Sequence, residues 1–537
     1  MDQLTPIKPL RSSFSSFSSN GNNDGSAWER GIDCINSILE PGSVTLAVLT
    51  DEQRSGLKGI KAMMLSGVGK KSAKNHIPQA LLDSDDDDGS AFLLAEYAGI
   101  DININRPPLA ITSMSTILSV QRVAMKLKKK LALKTAMKQL KSQSTGSSKK
   151  SYLQNIPPYW FDLDHESQLK LRDLLSWDSI NRWDFDIFDV NEVLKGKNTL
   201  VFVSWAIIAA PHSQYCMDIA CAQSSKRSSR IVEDLKERGG YNFISTLKIR
   251  EKTLINFLTA IEAKYNADVS YHNYVHAADV TQSLHVLLQM GAKNFTEEKM
   301  ELFFMLIAAV VHDVGHTGLN NNFHVNSRSE LALVYNDVSV LENMHVSTMF
   351  RMVLGENRDP TVDIFENFED EQTTKARNFI TNAVLSTDMK KHFAKLDAIK
   401  GIILGADDIG MMLNSDLSKD LCLRSEILTF IIHLADISNP SKPIHLAREW
   451  TDKLMKESFH QGDLEEDLGL PFTNLCDRRS THLEKSQVGF INFVVLPSYE
   501  LLGRLIPRVE SEIVPRLLDN LKYWQDQDRL KTVAQDN

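Results

Sequence analysis

Apolar residues recur with a helical period through most of the chain beyond residue 153. Six segments show the i, i+3, i+4 spacing, at positions 253–265, 277–290, 299–311, 374–385, 425–435 and 482–495. Few stretches alternate with the period of two that is typical of strands. The pattern therefore predicts an all-α fold, with one compact multi-helix domain over residues 153–525 and a C-terminal tail over 526–537.

The first 152 residues have a different pattern. Residues 1–26 are rich in Ser, Asn and Gly, and LDSDDDDGS at 82–90 is an acidic run that repels itself. We expect a largely disordered N-terminal region that ends in the flexible linker 142–150.

One segment of this region, 115–143, is strongly basic, and no acidic residue occurs between 102 and 161. As a basic amphipathic helix it would bind a calmodulin-like acidic protein or an anionic membrane. The alternative is a solvated linker helix, because Lys134 and Lys138 interrupt the apolar face. Both interpretations stay open.

Composition narrows the class of protein. Hydrophobic residues make up 42% and charged residues 24% of the 537, and the formal net charge of -9 argues against a chain-wide nucleic-acid surface. The N-terminus has no apolar core of signal-peptide length, and the longest apolar run, 199–210, is shorter than the roughly 20 residues of a membrane helix. We expect a cytoplasmic protein that does not bind nucleic acid.

Two apolar helical segments end in side chains that can bind metal. Residues 302–311 lead to His312 and Asp313, with glycines at 315 and 318, and residues 427–434 lead to Asp436 before an Asn-Pro stop. A buried unpaired charge costs several kcal/mol, so such carboxylates need a partner or a metal.

The stretch YHNYVHAADV adds His276 on a third predicted helix, with His272 one turn earlier. Two imidazoles and two carboxylates from distant helices suit zinc, and a carboxylate can bridge to a harder ion such as magnesium or manganese. Two such ions hold a hydroxide between them and promote phosphoester hydrolysis. An isolated HD or HxxxH pair is usually structural. Four other histidines fit no ligand position, and we interpret them as packing residues: His285, His324, His392 and His433.

These blocks resemble a known family. YHNYVHAADV, VHDVGHTG, YNDVSVLEN, LSTDM, LADISNP and EKSQVGFINFVV are similar, in this order, to the class I 3',5'-cyclic nucleotide phosphodiesterases, HD-type metallohydrolases. The resemblance covers residues 183–507, with the core motifs at 271–495. Through HTGLNNNFH, SVLEN and GLPFTNLCDRRST it is nearest to the calcium/calmodulin-dependent branch.

The resemblance implies roles for single residues. His276, His312, Asp313 and Asp436 would bind Zn²⁺, and Asp313 would also reach Mg²⁺ (or Mn²⁺). His272 would protonate the departing 3' oxygen. The positions that match those near the metal-bound waters are His316, Glu342 and Asp388.

The resemblance also implies a nucleotide site. Gln487 and Phe490 lie three residues apart on one predicted helix, where an amide could bond the base edge beside a ring that stacks on it. The remaining substrate-binding positions are Leu454, Tyr271 and Asn439, together with His272, Asp313 and Asp436. Ala447 stands where the cAMP-selective branch has a tyrosine that steadies the glutamine, whereas Asn439 is similar to the cAMP-preferring members.

Three further departures from the family are visible. Gly315 and Met344 replace an aspartate and a histidine that many members have. Residues 211–240 have no clear counterpart, so we expect an inserted mobile surface loop there.

The expected activity is hydrolysis of cAMP, cGMP or both to the 5'-monophosphates, which terminates cyclic-nucleotide signalling. One alternative is another HD-type phosphohydrolase, which would not need Gln487 and Phe490. A second is a catalytically silent nucleotide sensor, which would have no use for His272. A homodimer is left open by the sequence.

Overall fold

The computed structural model describes residues 154–221, 239–404 and 421–536. All of them belong to one compact unit, Gly146–Asn537. The predicted disordered region 1–152, with the acidic run 82–90 and the basic segment 115–143, lies outside the described residues.

The described residues form α-helices joined by turns and short 3₁₀ segments, with no strand among them. The first ten helices are α1 His165–Leu174, α2 Trp177–Ile180, α3 Ile187–Val193, α4 Thr199–Ile208, α5 His212–Cys221, α6 Phe243–Thr246, α7 Glu251–Glu262, α8 Tyr274–Met290, α9 Lys299–Val311 and α10 Asn321–Asn326. The next ten are α11 Glu330–Val334, α12 Val340–Leu354, α13 Asp370–Leu385, α14 His392–Leu404, α15 Leu421–Asp436, α16 Ile444–Asp467, α17 Leu483–Phe490, α18 Leu496–Leu505, α19 Pro507–Glu512 and α20 Val514–Asp536. The predicted all-α fold is confirmed.

The helix α8 is the centre of the domain. It is buried on every side, since 15 of its 17 residues are buried, and it packs against α4, α9 and α15. Asn273 begins it, because its side-chain oxygen accepts a hydrogen bond from the amide of Val275 at 2.8 Å. A helix without a solvent face has polar side chains only where they find partners inside the domain.

A carboxylate from another helix caps α4. Glu262, the last residue of α7, accepts hydrogen bonds from the backbone amides of Asn198 at 2.5 Å and Val201 at 3.1 Å. These amides at the start of α4 have no partner within their own helix. Glu262 therefore ties α7 to the N-terminus of a helix whose ten residues are all buried.

Two predictions about segment structure need correction. The predicted mobile loop 211–240 is wrong for its first part, because α5 forms there and buries Tyr215 and Met217; residues 222–238 lie outside the described residues. Apolar side chains in this segment meet the core, which a surface loop would not do. The predicted tail 526–537 is wrong as a separate segment, because α20 continues through it without a break to Asp536.

By length and composition, one continuous helical run among the described residues, Leu483–Leu505, could cross a membrane, and α4 with α5 passes the same test as a bent pair. The run comprises α17, a π-helical turn Ile491–Val495 and α18. It packs against the rest of the domain with 44% of the tested window buried, and the Tyr499 hydroxyl donates to the carbonyl of Leu434 at 2.8 Å. Core helices of globular domains have the same apolar character.

Candidate metal centre and active site

Four predicted ligands from three helices meet at one point. His276 comes from the first turn of α8, His312 and Asp313 follow the end of α9, and Asp436 ends α15. One ligand atom from each lies within 4.8 Å of the others. The Nε2 atom of His276 is 3.0 Å from Asp436 Oδ1, and Nε2 of His312 is 3.1 Å from Asp313 Oδ2.

The hydrogen bonds around this group suit a cation. The Nδ1 atom of His312 donates to the carbonyl of Ala309 at 2.8 Å, so Nε2 is the nitrogen that faces the two carboxylates and could bind a cation once it has lost its proton. Nε2 of His276 lies 3.4 Å from Nε2 of His312, so two nitrogens face each other within the cluster. Both imidazoles are fully buried. Two nitrogen and two carboxylate donors are a ligand set that zinc accepts.

The charges in the cluster are balanced by one another. Burial raises the pKa of Asp313 and Asp436, but His312 beside them outweighs this and holds both pKa values below their usual range. Both carboxylates are therefore ionised at neutral pH. A divalent cation would stabilise the same ionised form.

His272 lies just before α8 and outside this ligand group. Its Nδ1 atom is 2.5 Å from Oε1 of Glu457, a residue of α16. Glu457 Oε2 accepts the backbone amides of Tyr271 and His272 at 2.7 and 3.1 Å. The imidazole is 27% exposed, so it can reach a bound molecule while Glu457 fixes its orientation.

Glu457 also controls the protonation of His272. Burial lowers the pKa of the imidazole, but Glu457, with smaller contributions from Asp313 and Asp436, outweighs this and raises the pKa to about 9. The pKa of Glu457 is lowered to about 2, because the attraction of His272 outweighs burial. His272 is thus an imidazolium at neutral pH, with Nδ1–H donated to Glu457 and Nε2–H available.

The three predicted water-positioning residues are buried beside the cluster. His316 stacks on His272 with ring centres 4.1 Å apart, and its Nδ1 accepts the amide of Gly318 at 3.0 Å. Glu342 accepts both its hydrogen bonds from Asn321, at 3.0 and 3.1 Å. Burial raises the pKa of Glu342 to about 7.

Asp388 completes this set. Its Oδ2 accepts the hydroxyl of Ser339 at 2.7 Å and its Oδ1 accepts the amide of Lys390 at 2.9 Å. None of the three belongs to the four-ligand group, and their roles stay predictions.

The predicted nucleotide residues lie on two helices and one turn. Gln487 and Phe490 are one turn apart on α17, and Gln487 Oε1 is 3.4 Å from the hydroxyl of Thr451 on α16. Leu454 follows Thr451 by one turn and is half-buried, as is Phe490. The helix α16 therefore presents Thr451, Leu454 and Glu457 along one face, with Thr451 in contact with Gln487 and Glu457 in contact with His272.

Tyr271 and Asn439 contact each other, since the Tyr271 hydroxyl donates to Asn439 Oδ1 at 2.5 Å. The Tyr271 ring also packs on His276 with ring centres 4.6 Å apart. Tyr271 thus connects the predicted metal ligand His276 to Asn439, which lies three residues after Asp436.

Sequence reasoning missed two residues of the site, Glu457 and His345. His345 Nδ1 donates to the carbonyl of Val314 at 2.8 Å, and Nε2 is 3.6 Å from Asp313 Oδ1. Its position next to Met344, in a block that often holds histidine, was the available signal. Glu457 is one of several glutamates on α16, and nothing in the local pattern distinguishes it.

The four histidines interpreted as packing residues are bonded elsewhere. His285 Nδ1 is 2.8 Å from the Tyr241 hydroxyl, and His392 Nδ1 is 3.0 Å from His433 Nε2. His324 lies between Thr317 and Ser329. None belongs to a potential metal-binding group of the described residues.

The chain is similar to known proteins in both sequence and fold. The family model described as 3'5'-cyclic nucleotide phosphodiesterase matches residues 271–515. A crystal structure of the phosphodiesterase domain of the RhoPDE fusion protein from the choanoflagellate Salpingoeca rosetta is 31% identical, with a TM-score of 0.53. The similarity covers 66% of this chain and 97% of that domain. The chain belongs to the 3',5'-cyclic nucleotide phosphodiesterase family.

Two curated members of this family are similar over much of the chain. The 3',5'-cyclic-AMP phosphodiesterase 4C of Rattus norvegicus is 35% identical over 372 residues, which are 69% of this chain and 61% of that protein. The probable 3',5'-cyclic phosphodiesterase pde-1 of Caenorhabditis elegans is 40% identical over 276 residues, 51% of this chain and 39% of that protein. The chain thus spans less than two thirds of either relative.

Proposed function

We propose that this phosphodiesterase family member hydrolyses 3',5'-cyclic nucleotides to nucleoside 5'-monophosphates. The observation that supports it best is the pairing of a four-ligand metal centre with a proton donor, His272, held by Glu457 beside it. A site that only binds a nucleotide has no need of such a donor, so the geometry favours an enzyme over a silent sensor.

The chain's own residues divide the reaction between them. His276, His312, Asp313 and Asp436 would hold the metal, with Zn²⁺ at this nitrogen-containing set and Mg²⁺ or Mn²⁺ near Asp313 as the proposed ions. Divalent ions at such a site polarise the phosphoryl oxygens and make water a stronger nucleophile. As the bond between phosphorus and the 3' oxygen breaks, His272 Nε2 gives its proton to that oxygen. Glu457 compensates the charge of the imidazolium beforehand.

We propose cAMP as the preferred substrate, with cGMP as the alternative. The rat relative is named for cyclic AMP, and Asn439 is of the kind found in cAMP-preferring members. Gln487 and Phe490 would contact the purine, with Leu454 on its other side. Calmodulin or membrane binding at 115–143, a homodimer, a cytoplasmic location and the calcium/calmodulin-dependent branch are proposals that rest on the sequence alone.

The function is tested by following the hydrolysis of cAMP and cGMP by purified protein, with and without a metal chelator, and with Asp313→Ala. We expect turnover that the chelator and the substitution both abolish. Arg182→Ala is a matched control, because it breaks an exposed ion pair with Asp184 that includes none of the predicted site residues. Turnover that persists in chelator would contradict the metal mechanism, and a folded protein that turns over neither nucleotide would favour the sensor.

A further inference from the structure

The loop between α16 and α17 contains two consecutive arginines before a serine. In GLPFTNLCDRRST, Arg478 and Arg479 directly precede Ser480, and no residue of this stretch takes part in the metal centre or the proposed reaction. Ser480 is exposed, and its hydroxyl donates to Asp477 Oδ2 at 3.2 Å. Arginines before an exposed serine are the charge pattern that basophilic protein kinases select, because acidic side chains beside the kinase active site bind guanidinium groups.

The two arginines attach this loop to the end of α16. Arg478 Nη2 is 2.5 Å from Asp463 Oδ2, and Arg479 Nη1 is 2.9 Å from Glu466 Oε1. Both pairs lie at the surface, since the side chains are 53% exposed in the first pair and 59% in the second. Exposed ion pairs contribute little to stability, so the loop can leave α16 locally at small cost. A kinase can therefore bind the residues around Ser480 in an extended conformation.

Asp477 holds the turn that contains Ser480. Its Oδ1 accepts the backbone amide and Nε of Arg479 at 3.0 and 2.9 Å, and its carbonyl accepts the Thr481 hydroxyl at 2.7 Å. The hydrogen bonds from Arg479 lower the pKa of Asp477, so this carboxylate is ionised at neutral pH. A phosphate on Ser480 would add about 1.5 to 2 negative charges next to it and replace the hydroxyl donor by acceptors. The turn around Asp477 would then open.

A cavity of about 460 Å³ lies beside this turn, and Ser480 and Lys485 both line it. Lys485 is exposed, and no carboxylate pairs with its ammonium group within the described residues. It is the third residue of α17, the helix that also carries Gln487 and Phe490. A phosphate that is repelled by Asp477 and attracted by Lys485 would therefore move from the turn toward the helix of the proposed purine-binding residues.

We propose that Ser480 is a phosphorylation site for an arginine-directed protein kinase and that phosphate there weakens the binding of the cyclic nucleotide. The kinase would transfer the γ-phosphoryl group of ATP: the bond from the γ-phosphorus to the oxygen it shares with the β-phosphate breaks, and a bond to Ser480 Oγ forms. The hydroxyl proton passes to the general base of the kinase, and ADP leaves. Binding weakens because the segment before α17 loses its turn and because the added charge repels an anionic substrate. The effect on binding rests on the proposed function, whereas the modification does not.

The modification is tested by incubating the purified full chain with ATP and a kinase catalytic domain that requires arginine two residues before its serine. Mass spectrometry should locate phosphate at Ser480. In Arg478→Gln the rate should fall about tenfold or more, although this change also frees the loop from Asp463. Phosphate at Thr481 instead of Ser480, phosphate at neither position, or an unchanged rate in Arg478→Gln overturns the assignment.

The consequence is tested with phosphoserine introduced at position 480 during translation of the full chain. The KM for cAMP should rise about three- to fivefold with kcat unchanged, the factor that one or two exposed charge contacts provide. The rise should shrink in about 0.5 M NaCl, because salt screens exposed charges, whereas a purely steric effect would persist.

Phosphoserine at position 511 is the matched control. Ser511 is also exposed, but it lies on α19, where its hydroxyl donates to backbone carbonyls, and it does not line the cavity. Its modification should leave the KM for cAMP at the unmodified value. An equal rise in the control, or an unchanged KM in the protein with phosphoserine at 480, overturns the effect on binding. A protein inactive on both cyclic nucleotides contradicts the proposed function instead, and phosphate mapping still decides whether Ser480 is modified.

Discussion

Replacement of Glu457 by Gln should change the pH dependence of turnover more than its value at neutral pH. The substitution keeps the size of the side chain and its contact with His272 but removes the negative charge 2.5 Å from Nδ1. Burial by itself lowers the pKa of His272, and Glu457 is the main group that opposes this. Cations bound at Asp313 and Asp436 would offset the contribution of those two carboxylates. Glu457 is then the residue that keeps His272 protonated.

The magnitude follows from the pKa. With a pKa of about 9, roughly 99% of His272 is protonated at pH 7 and about three quarters at pH 8.5. Without Glu457 the pKa falls to about 6.5 or below, so at most about a quarter of His272 is protonated at pH 7 and about 1% at pH 8.5. Turnover should therefore fall severalfold at pH 7 and by a larger factor, on the order of tens, at pH 8.5, within the 10²- to 10⁴-fold contribution of a general acid.

The assay is kcat for cAMP between pH 6 and 9.5 at saturating metal. The wild-type protein should lose activity at alkaline pH, where the imidazolium loses its proton, and the variant should lose it at a clearly lower pH, because Glu457 no longer opposes the effect of burial on the pKa of His272. Glu465→Gln is the control, because Glu465 is also buried on the same helix but bonds to Gln461 and Thr473. An unchanged alkaline limb in Glu457→Gln would refute the assignment of Glu457 as the partner that keeps His272 protonated.

Three further outcomes are expected. His276→Ala should lose bound metal, measured by elemental analysis, whereas His272→Ala should retain it and lose turnover; equal metal loss in both would contradict their separate roles. Glu262→Ala should reduce the free energy of unfolding by about 1–3 kcal/mol in urea titration, because two amides at the start of α4 lose their acceptor; an unchanged midpoint would show that water replaces the carboxylate. Deletion of residues 115–143 should abolish any calcium-dependent activation, and activation that persists would exclude this segment as the switch.

The helices were predictable from the sequence wherever a long segment has one apolar face or is apolar throughout. The segment 299–311 coincides with α9, and 277–290 lies within α8. Elsewhere the sequence pattern did not show that a short segment is buried. The helix α5 buries Tyr215 and Met217, yet its local sequence is mixed enough to resemble a loop. Only contact with the core stabilises such a short helix.

The metal ligands were predictable for a related reason. His312, Asp313 and Asp436 stand at the ends of apolar helices, where an unpaired charge would be too costly to bury. Glu457 has no such context. It lies on α16 among buried, half-buried and exposed neighbours that form no wholly apolar stretch, and its partner His272 is 185 residues earlier in the chain.

The sequence by itself determined which residues could bind a metal and which segments would be helical. A charged side chain at the end of an apolar segment needs a partner, and a buried backbone must satisfy its own hydrogen bonds, so both conclusions depend on local sequence. Tertiary structure alone decided the hydrogen-bond partners that set the protonation and the orientation of those side chains. The pairing of His272 with Glu457, of His345 with Asp313 and of Asn439 with Asp279 each depends on how separate helices pack. Distance and orientation between such helices result from the packing of the whole core, and no local pattern encodes them.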